Sequence, residues 1–287
     1  MIYLILMVLL NAVVAVILKL FTRFRVDHLQ AIIFNYWVCV GTGSFFLGHV
    51  PVGADSVQQE WFPLALLMGA GFILVFNLFA YCTKTGGITA ATVANKLSLV
   101  IPVIFSIFLY GEQLSAVHLC GIVLAFPAVY LASASGAQQQ EKVHLGWIVL
   151  LFLCSGLLDT AMKYAQQRYL PTQESQAVYT IHLFAVAGAI GTLILVFLLI
   201  TGRQRFSLRN LAGGLVLGIP NYFSIYYLVR MLNSNFIKSS AMIPLSNIGV
   251  LFASSSFAIL FFREPMNARR WLGLALSLVV IVLLALS

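Results

Sequence analysis

Charge is what this sequence has least of. Sixteen Lys and Arg and eight Asp and Glu in 287 residues leave only 8% of side chains charged, against about a quarter in a typical soluble domain. So few charges cannot furnish a water-facing shell, which excludes an ordinary soluble protein. Cysteine is scarce too. Cys39, Cys82, Cys120 and Cys154 stand singly, with no CxxC pair, so neither a disulfide framework nor a metal site is indicated. Catalytic signatures are missing: there is no P-loop, HExxH, GxSxG or Asp-rich prenyl-diphosphate motif. An intramembrane aspartyl protease needs two buried aspartates, and the apolar runs hold one. A channel would call for a filter sequence or rings of like charge, which the sequence also lacks.

What is present is apolar side chain: 61% of residues are hydrophobic and the mean hydropathy is +1.00. Such a chain is expected to be an all-α polytopic membrane protein, because in lipid every backbone polar group must be satisfied internally. Apolar runs predict ten transmembrane helices, at 2–21, 31–49, 62–82, 88–109, 116–134, 147–165, 176–200, 211–231, 238–261 and 270–287. The first lacks a basic leader and a small-residue cleavage site, so it is read as a retained span. The most polar break, 135–144, falls at mid-chain and divides the sequence into 1–135, a cytoplasmic linker at 136–146, and 147–287.

The halves resemble one another. A shift of 152 residues places Asn95 on Asn247, Glu112 on Glu264, Gly121 on Gly273, and Phe105 on Phe257; a shift of 144 places Lys19 on Lys163. Two copies of a five-span unit must lie in the membrane with opposite orientation, giving two inverted five-helix repeats, an arrangement common in secondary transporters. The basic residues sort accordingly. With both termini on one side, the other side collects Lys19, Arg23, Arg25, Lys84, Lys142, Arg203, Arg205, Arg209, Arg263, Arg269 and Arg270. The terminal side collects only Lys163, Arg168, Arg230 and Lys238. The positive-inside bias makes the crowded side cytoplasmic. The net charge of +8 is therefore read as orientation and anionic headgroups, with no nucleic-acid partner.

Two ionisable residues escape this sorting. Lys96 lies about 12 Å into the fourth span and Asp159 about 18 Å into the sixth, both entered from the same side. Charges at such depth are costly and usually face a cavity or a partner. Lys96 and Asp159 are expected to face one central cavity, as an ion pair or as two substrate contacts; a purely structural pair is the competing reading. Asn95 and Asn247, and the mid-span Asn11 and Asn221, either line that cavity or bond between helices. Lys19 and Lys163 read as gate charges or interfacial anchors. Tyr81, Tyr164, Tyr222, Tyr226 and Tyr227 read as cavity wall or interfacial belt. His182 reads as packing. Pro102 and Pro244 are expected to interrupt their spans as bends or gating hinges. Glu112 and Glu264 are expected to cap the helix that follows each. Gly69, Gly71, Gly213, Gly214 and Gly218 are expected to allow close helix approach.

The segments YGEQLSAVHLCGIVLAFPAVYLAS and FREPMNARRWLGLALSLVVIVLLALS, through Glu112 with Gly121 and Glu264 with Gly273, resemble the end of the EamA domain of the drug/metabolite transporter superfamily. The resemblance extends over essentially the whole chain. It implies a secondary carrier without ATP hydrolysis, and a central cavity lined by spans 1, 3, 4, 6, 8 and 9, with spans 5 and 10 set aside. Family members are often described with cytoplasmic termini, and the charge distribution here argues the reverse. The combined expectation is a transporter for an amino-acid-like zwitterion or small anion, without cofactor or metal. It would sit in a bacterial inner (plasma) membrane as monomer or homodimer, with a proton or counter-substrate as potential partner. A channel or a non-transporting receptor or scaffold is the alternative.

Overall fold

A computed structural model describes residues 2–110, 116–132, 145–232 and 239–286. Glu112, Lys142, Lys238 and most of the linker at 136–146 lie outside the described residues. The described chain is helical, without strand. Its elements are α1 (Ile2–Arg23), α2 (His28–Leu47), a 3-10 turn (Ala54–Gln58), α3 (Phe62–Gly86), α4 (Ile88–Leu97), α5 (Val100–Tyr110), α6 (Ala116–Ala132), α7 (Leu145–Tyr169), α8 (Gln173–Ile200), α9 (Leu208–Leu232), α10 (Ser239–Phe262) and α11 (Ala268–Leu286).

Seven helical segments among the described residues are long and apolar enough to cross a membrane: Ile2–Arg23, His28–Leu47, Phe62–Gly86, Ile88–Phe105, Leu145–Ala165, Gln173–Ile200 and Leu208–Leu228. Their outward surfaces are apolar; Phe45, Leu67, Leu193 and Ile200 are all largely exposed. In water such a surface would aggregate, whereas lipid tails solvate it. The chain is a multi-pass integral membrane protein.

Helix ends follow their capping residues. Asp27 accepts from the Gln30 amide (2.9 Å) to start α2, and Gly48, at φ 86°, ends it by donating to the Ser44 and Phe45 carbonyls. Thr172 and Ser175 form a reciprocal cap at the start of α8. Asn267 accepts from the Arg270 amide (2.9 Å) at the start of α11.

The fourth span is not one helix. It breaks at Ser98–Leu99, between α4 and α5. Pro102 supplies the reason: it has no N–H to give the Ser98 carbonyl, and its ring collides with that carbonyl in a regular helix. The Ser98 carbonyl turns instead to the Ile101 amide (2.9 Å). The expected interruption is therefore present, displaced one turn ahead of the proline.

The chain forms two compact units. The first comprises residues 1–19, 78–160 and 224–287; the second comprises 20–77 and 161–223. Each draws on both sequence halves. In the first, α6 packs on α11, where Gly273 lies so close to the Ala132 backbone that a Cβ would sit 2.8 Å from the Ala132 Cα. Ala15, Ile88 and Ala258 form a small core with Val16, Phe79 and Phe262 around it. In the second unit α2 packs on α8. Gly191 admits Ile33 and Ile73, and Tyr36 donates to the Phe72 carbonyl (2.8 Å) while stacking on Phe184. The glycines of α9 meet α2 and the connection before it in the same unit: Gly213 faces Val26, Gly214 faces Phe34, and Gly218 faces Val38. Gly69 likewise faces Val186. Close approach is thus what these glycines provide.

Candidate functional site

The break in the fourth span creates a polar cluster inside the first unit. At the end of α4, Ser98 donates to the Asn95 carbonyl and approaches the Asp159 carboxylate at 3.4 Å. One turn along, the Asn95 amide donates to the hydroxyl of buried Ser155 (3.1 Å). Ser155 and Asp159 are four residues apart on α7, and Asn95 and Ser98 three apart at the end of α4, so each pair shares a helix face. Gly156, between Ser155 and Asp159 in sequence, lets α7 close on the break: a Cβ there would lie 2.7 Å from the Ser98 carbonyl oxygen.

Lys96 and Asp159 are near enough for each charge to act on the other. They do not touch. Lys96 forms no hydrogen bond or ion pair among the described residues, and the carboxylate's neighbour is Ser98. Asp159 keeps open surface, while Lys96 and Asn95 are half-buried. An accessible carboxylate at bilayer depth is tolerable beside water or a polar partner and very costly against lipid.

The other expected residues are distributed as follows. Asn247 is half-buried on α10, in the same unit. Asn11 spends its amide on its own helix, donating to the Met7 carbonyl (3.2 Å). Tyr81 is exposed and packs edge-on against Trp147. Tyr226 accepts from Arg230 Nε (3.1 Å) and lies under its guanidinium. Lys163, Asn221 and Tyr222 belong to the second unit. There Asn221 donates to the Asn35 side chain (3.1 Å), and Tyr222 stacks on Phe46. Lys163 is half-buried on α7. Tyr164 meets Tyr169, and Tyr227 stacks on Tyr3. His182 is buried, bonded to the Val178 carbonyl and the Ser56 hydroxyl (2.7 Å) and packed edge-on to Trp61.

A second charged cluster joins the α3–α4 corner to the start of α11, in the first unit. Lys19 donates to the Thr83 (2.8 Å) and Lys84 (3.1 Å) carbonyls, and fully buried Arg270 donates to the Gly86 carbonyl (3.3 Å). Two cations thereby cover the last turn of α3, where helix carbonyls are left unpaired. Glu264 corrects the sequence-based expectation. It does not cap the helix that follows it, a task taken by Asn267; its Oε1 accepts from the Ile88 amide (2.7 Å) at the start of α4. Chain direction explains this. Glu264 is 7% exposed, directed inward at the α4 N-terminus, while Asn267 sits closer to the first free amides of α11.

Ser98 and Ser155 were not singled out by sequence. The signal for Ser98 was its place four residues before Pro102; for Ser155, its place four before Asp159.

Residues 2–134 match the EamA-like transporter family. An uncharacterized protein of Haemophilus influenzae is 26% identical over 279 residues, spanning 94% of this chain and 93% of its own length. A solved crystal structure of a protein aligns with a TM-score of 0.58 at 15% identity, over 97% of this chain and 94% of that one. At that identity the likeness concerns the fold alone. Residues 2–134 thus match the EamA-like transporter family, and the apolar helices are those of a multi-pass membrane protein.

Proposed function

We propose that the protein is a secondary transporter that moves a small polar or amphipathic metabolite, an amino-acid-like zwitterion or small anion, by alternating access. In this reading ten spans form two inverted five-helix repeats, with both termini outside a bacterial inner membrane. The family match, ending at residue 134, supports a first repeat over 1–135. The self-similarity of the halves and the sorting of basic residues support inversion.

One observation carries the substrate class. Lys96 and Asp159 hold opposite charges within electrostatic reach of one another and out of contact, with Asn95 and Ser98 beside them. A lysine ammonium suits a carboxylate, and an aspartate suits an ammonium, so a zwitterion would satisfy both at once. Removing one charge should then do more than remove a contact, because it strands the other.

The test is counterflow of labelled amino acids and small carboxylates into liposomes holding the purified protein. Saturable counterflow by the wild type is expected, with Lys96→Met and Asp159→Asn each lowering it by about tenfold or more. Flux without saturation or counterflow would point to a channel. Undiminished counterflow in both variants would remove the pair from the site.

A further inference from the structure

The polar cluster and the α3–α4 corner leave one concentration of charge unexplained. Arg23, Phe24, Arg25 and Arg209 line a cleft of about 510 Å³ in the second unit, where α1 ends and α9 begins. Arg209 donates from Nη1 to the Phe24 carbonyl (3.5 Å), joining the start of α9 to the α1–α2 connection. Arg25 sits at φ 53°, in the left-handed region where glycine or asparagine usually ends a helix. Its amide donates to the Thr22 carbonyl, and the following Val26 amide to that of Phe21 (2.9 Å), which closes α1. The chain therefore accepts backbone strain to place an arginine at this point.

No carboxylate offsets the three guanidiniums among the described residues. Asp27, adjacent in sequence, is committed elsewhere: it accepts from the Gln30 amide (2.9 Å) and from Gln204 Nε2 (3.4 Å). All three arginines are exposed, and Phe24 among them is 61% exposed. Arginine forks match phosphate oxygens, and an exposed ring at the end of a spanning helix suits the glycerol and upper acyl region of a lipid. A soluble phosphate would engage the guanidiniums and leave the ring unused.

We propose that Arg23, Arg25, Arg209 and Phe24 form a binding site for the phosphate headgroup of an acidic membrane phospholipid. The site is independent of the transport reading, since none of its residues belongs to the Lys96–Asp159 cluster. It places a lipid contact at the junction of the α1–α2 connection with α9, where headgroup charge would relieve the mutual repulsion of the arginines.

The experiment is a thermal-stabilisation titration of the full-length detergent-purified protein. Its probes are dioctanoyl phosphatidylglycerol, dioctanoyl phosphatidylcholine and sn-glycerol 3-phosphate. Phosphatidylglycerol is expected to act at a concentration about tenfold below either of the others. The R23Q/R25Q/R209Q variant should raise that concentration about tenfold or more, and high salt should raise it as well. Phe24→Ser should weaken the response to phosphatidylglycerol and leave that to glycerol phosphate unchanged. Arg269→Gln, an exposed charge outside the cleft, should change neither. Should the triple variant not fold, the single variants R23Q and R209Q carry the test, each expected to weaken phosphatidylglycerol by about fivefold. Equal action of phosphatidylcholine, equal action of glycerol phosphate, or an unchanged response in the arginine variants would each overturn the proposal.

Discussion

Gly87→Ala is expected to break the α3–α4 corner. Gly87 has φ 93° and ψ 160°, a conformation essentially confined to glycine, and a Cβ there would lie 2.7 Å from Glu264 Oε2 and 2.9 Å from Oε1. Alanine therefore brings two costs. Backbone strain in that region is about 1–3 kcal/mol. Displacing the carboxylate also loses its charge-assisted bond to the Ile88 amide, worth about 1.5–3 kcal/mol. Together they amount to about 4 kcal/mol, or roughly 8 °C in Tm at about 2 °C per kcal/mol for a chain of this size. Unfolding can be followed in detergent by the reaction of a thiol dye with Cys39 and Cys82, both fully buried. A double-mutant cycle separates the two costs. Glu264→Ala is itself expected to cost about 3–5 kcal/mol, because it leaves buried Arg270 without its neighbouring charge. In that background Gly87→Ala should cost only the backbone strain, giving a coupling of about 2 kcal/mol. Identical costs in the two backgrounds would refute the placement of the carboxylate against Gly87.

Two further substitutions probe the helices. Pro102→Ala restores the amide that the Ser98 carbonyl lacks; it should mend α4 into α5, raise stability by about 1 kcal/mol and reduce counterflow by turning Ser98 from Asp159. Unchanged stability and transport would show that the break is set elsewhere. Gly218→Ala should cost about 1–3 kcal/mol in the same unfolding assay, because a Cβ would sit 2.6 Å from that of Val38. Gly41→Ala, with nothing within 4 Å, should be neutral or stabilising, and equal responses at the two positions would contradict the α2–α9 packing.

The legible part of the candidate site was its composition. Lys96 and Asp159 stood out because a charge inside an apolar run has to be explained, and the serines beside them did not, because a hydroxyl in a membrane helix can satisfy itself on its own backbone. Thr42, Thr180 and Thr192 do so here, each donating to the carbonyl four residues back. Asn11 behaves in the same way, its amide finding the Met7 carbonyl within its own turn. Glycine was easier to read, because Gly69, Gly213, Gly214 and Gly218 have few uses in an apolar helix apart from letting another backbone approach.

By itself the amino-acid order determined that this chain is helical and crosses a membrane. Length and hydropathy decide that much, because lipid cannot hydrogen-bond an open backbone and each apolar run must satisfy itself. The order of charges marked the breaks between apolar runs. It did not determine what each retained charge touches. Glu264 caps a helix that begins 176 residues earlier, Asn221 bonds an asparagine 186 residues away, and Ser98 meets Asp159 across 61. Those partnerships belong to the tertiary structure, because a polar group in lipid takes the nearest complementary group in space, and sequence periodicity specifies the face of a helix without specifying which helix lies opposite.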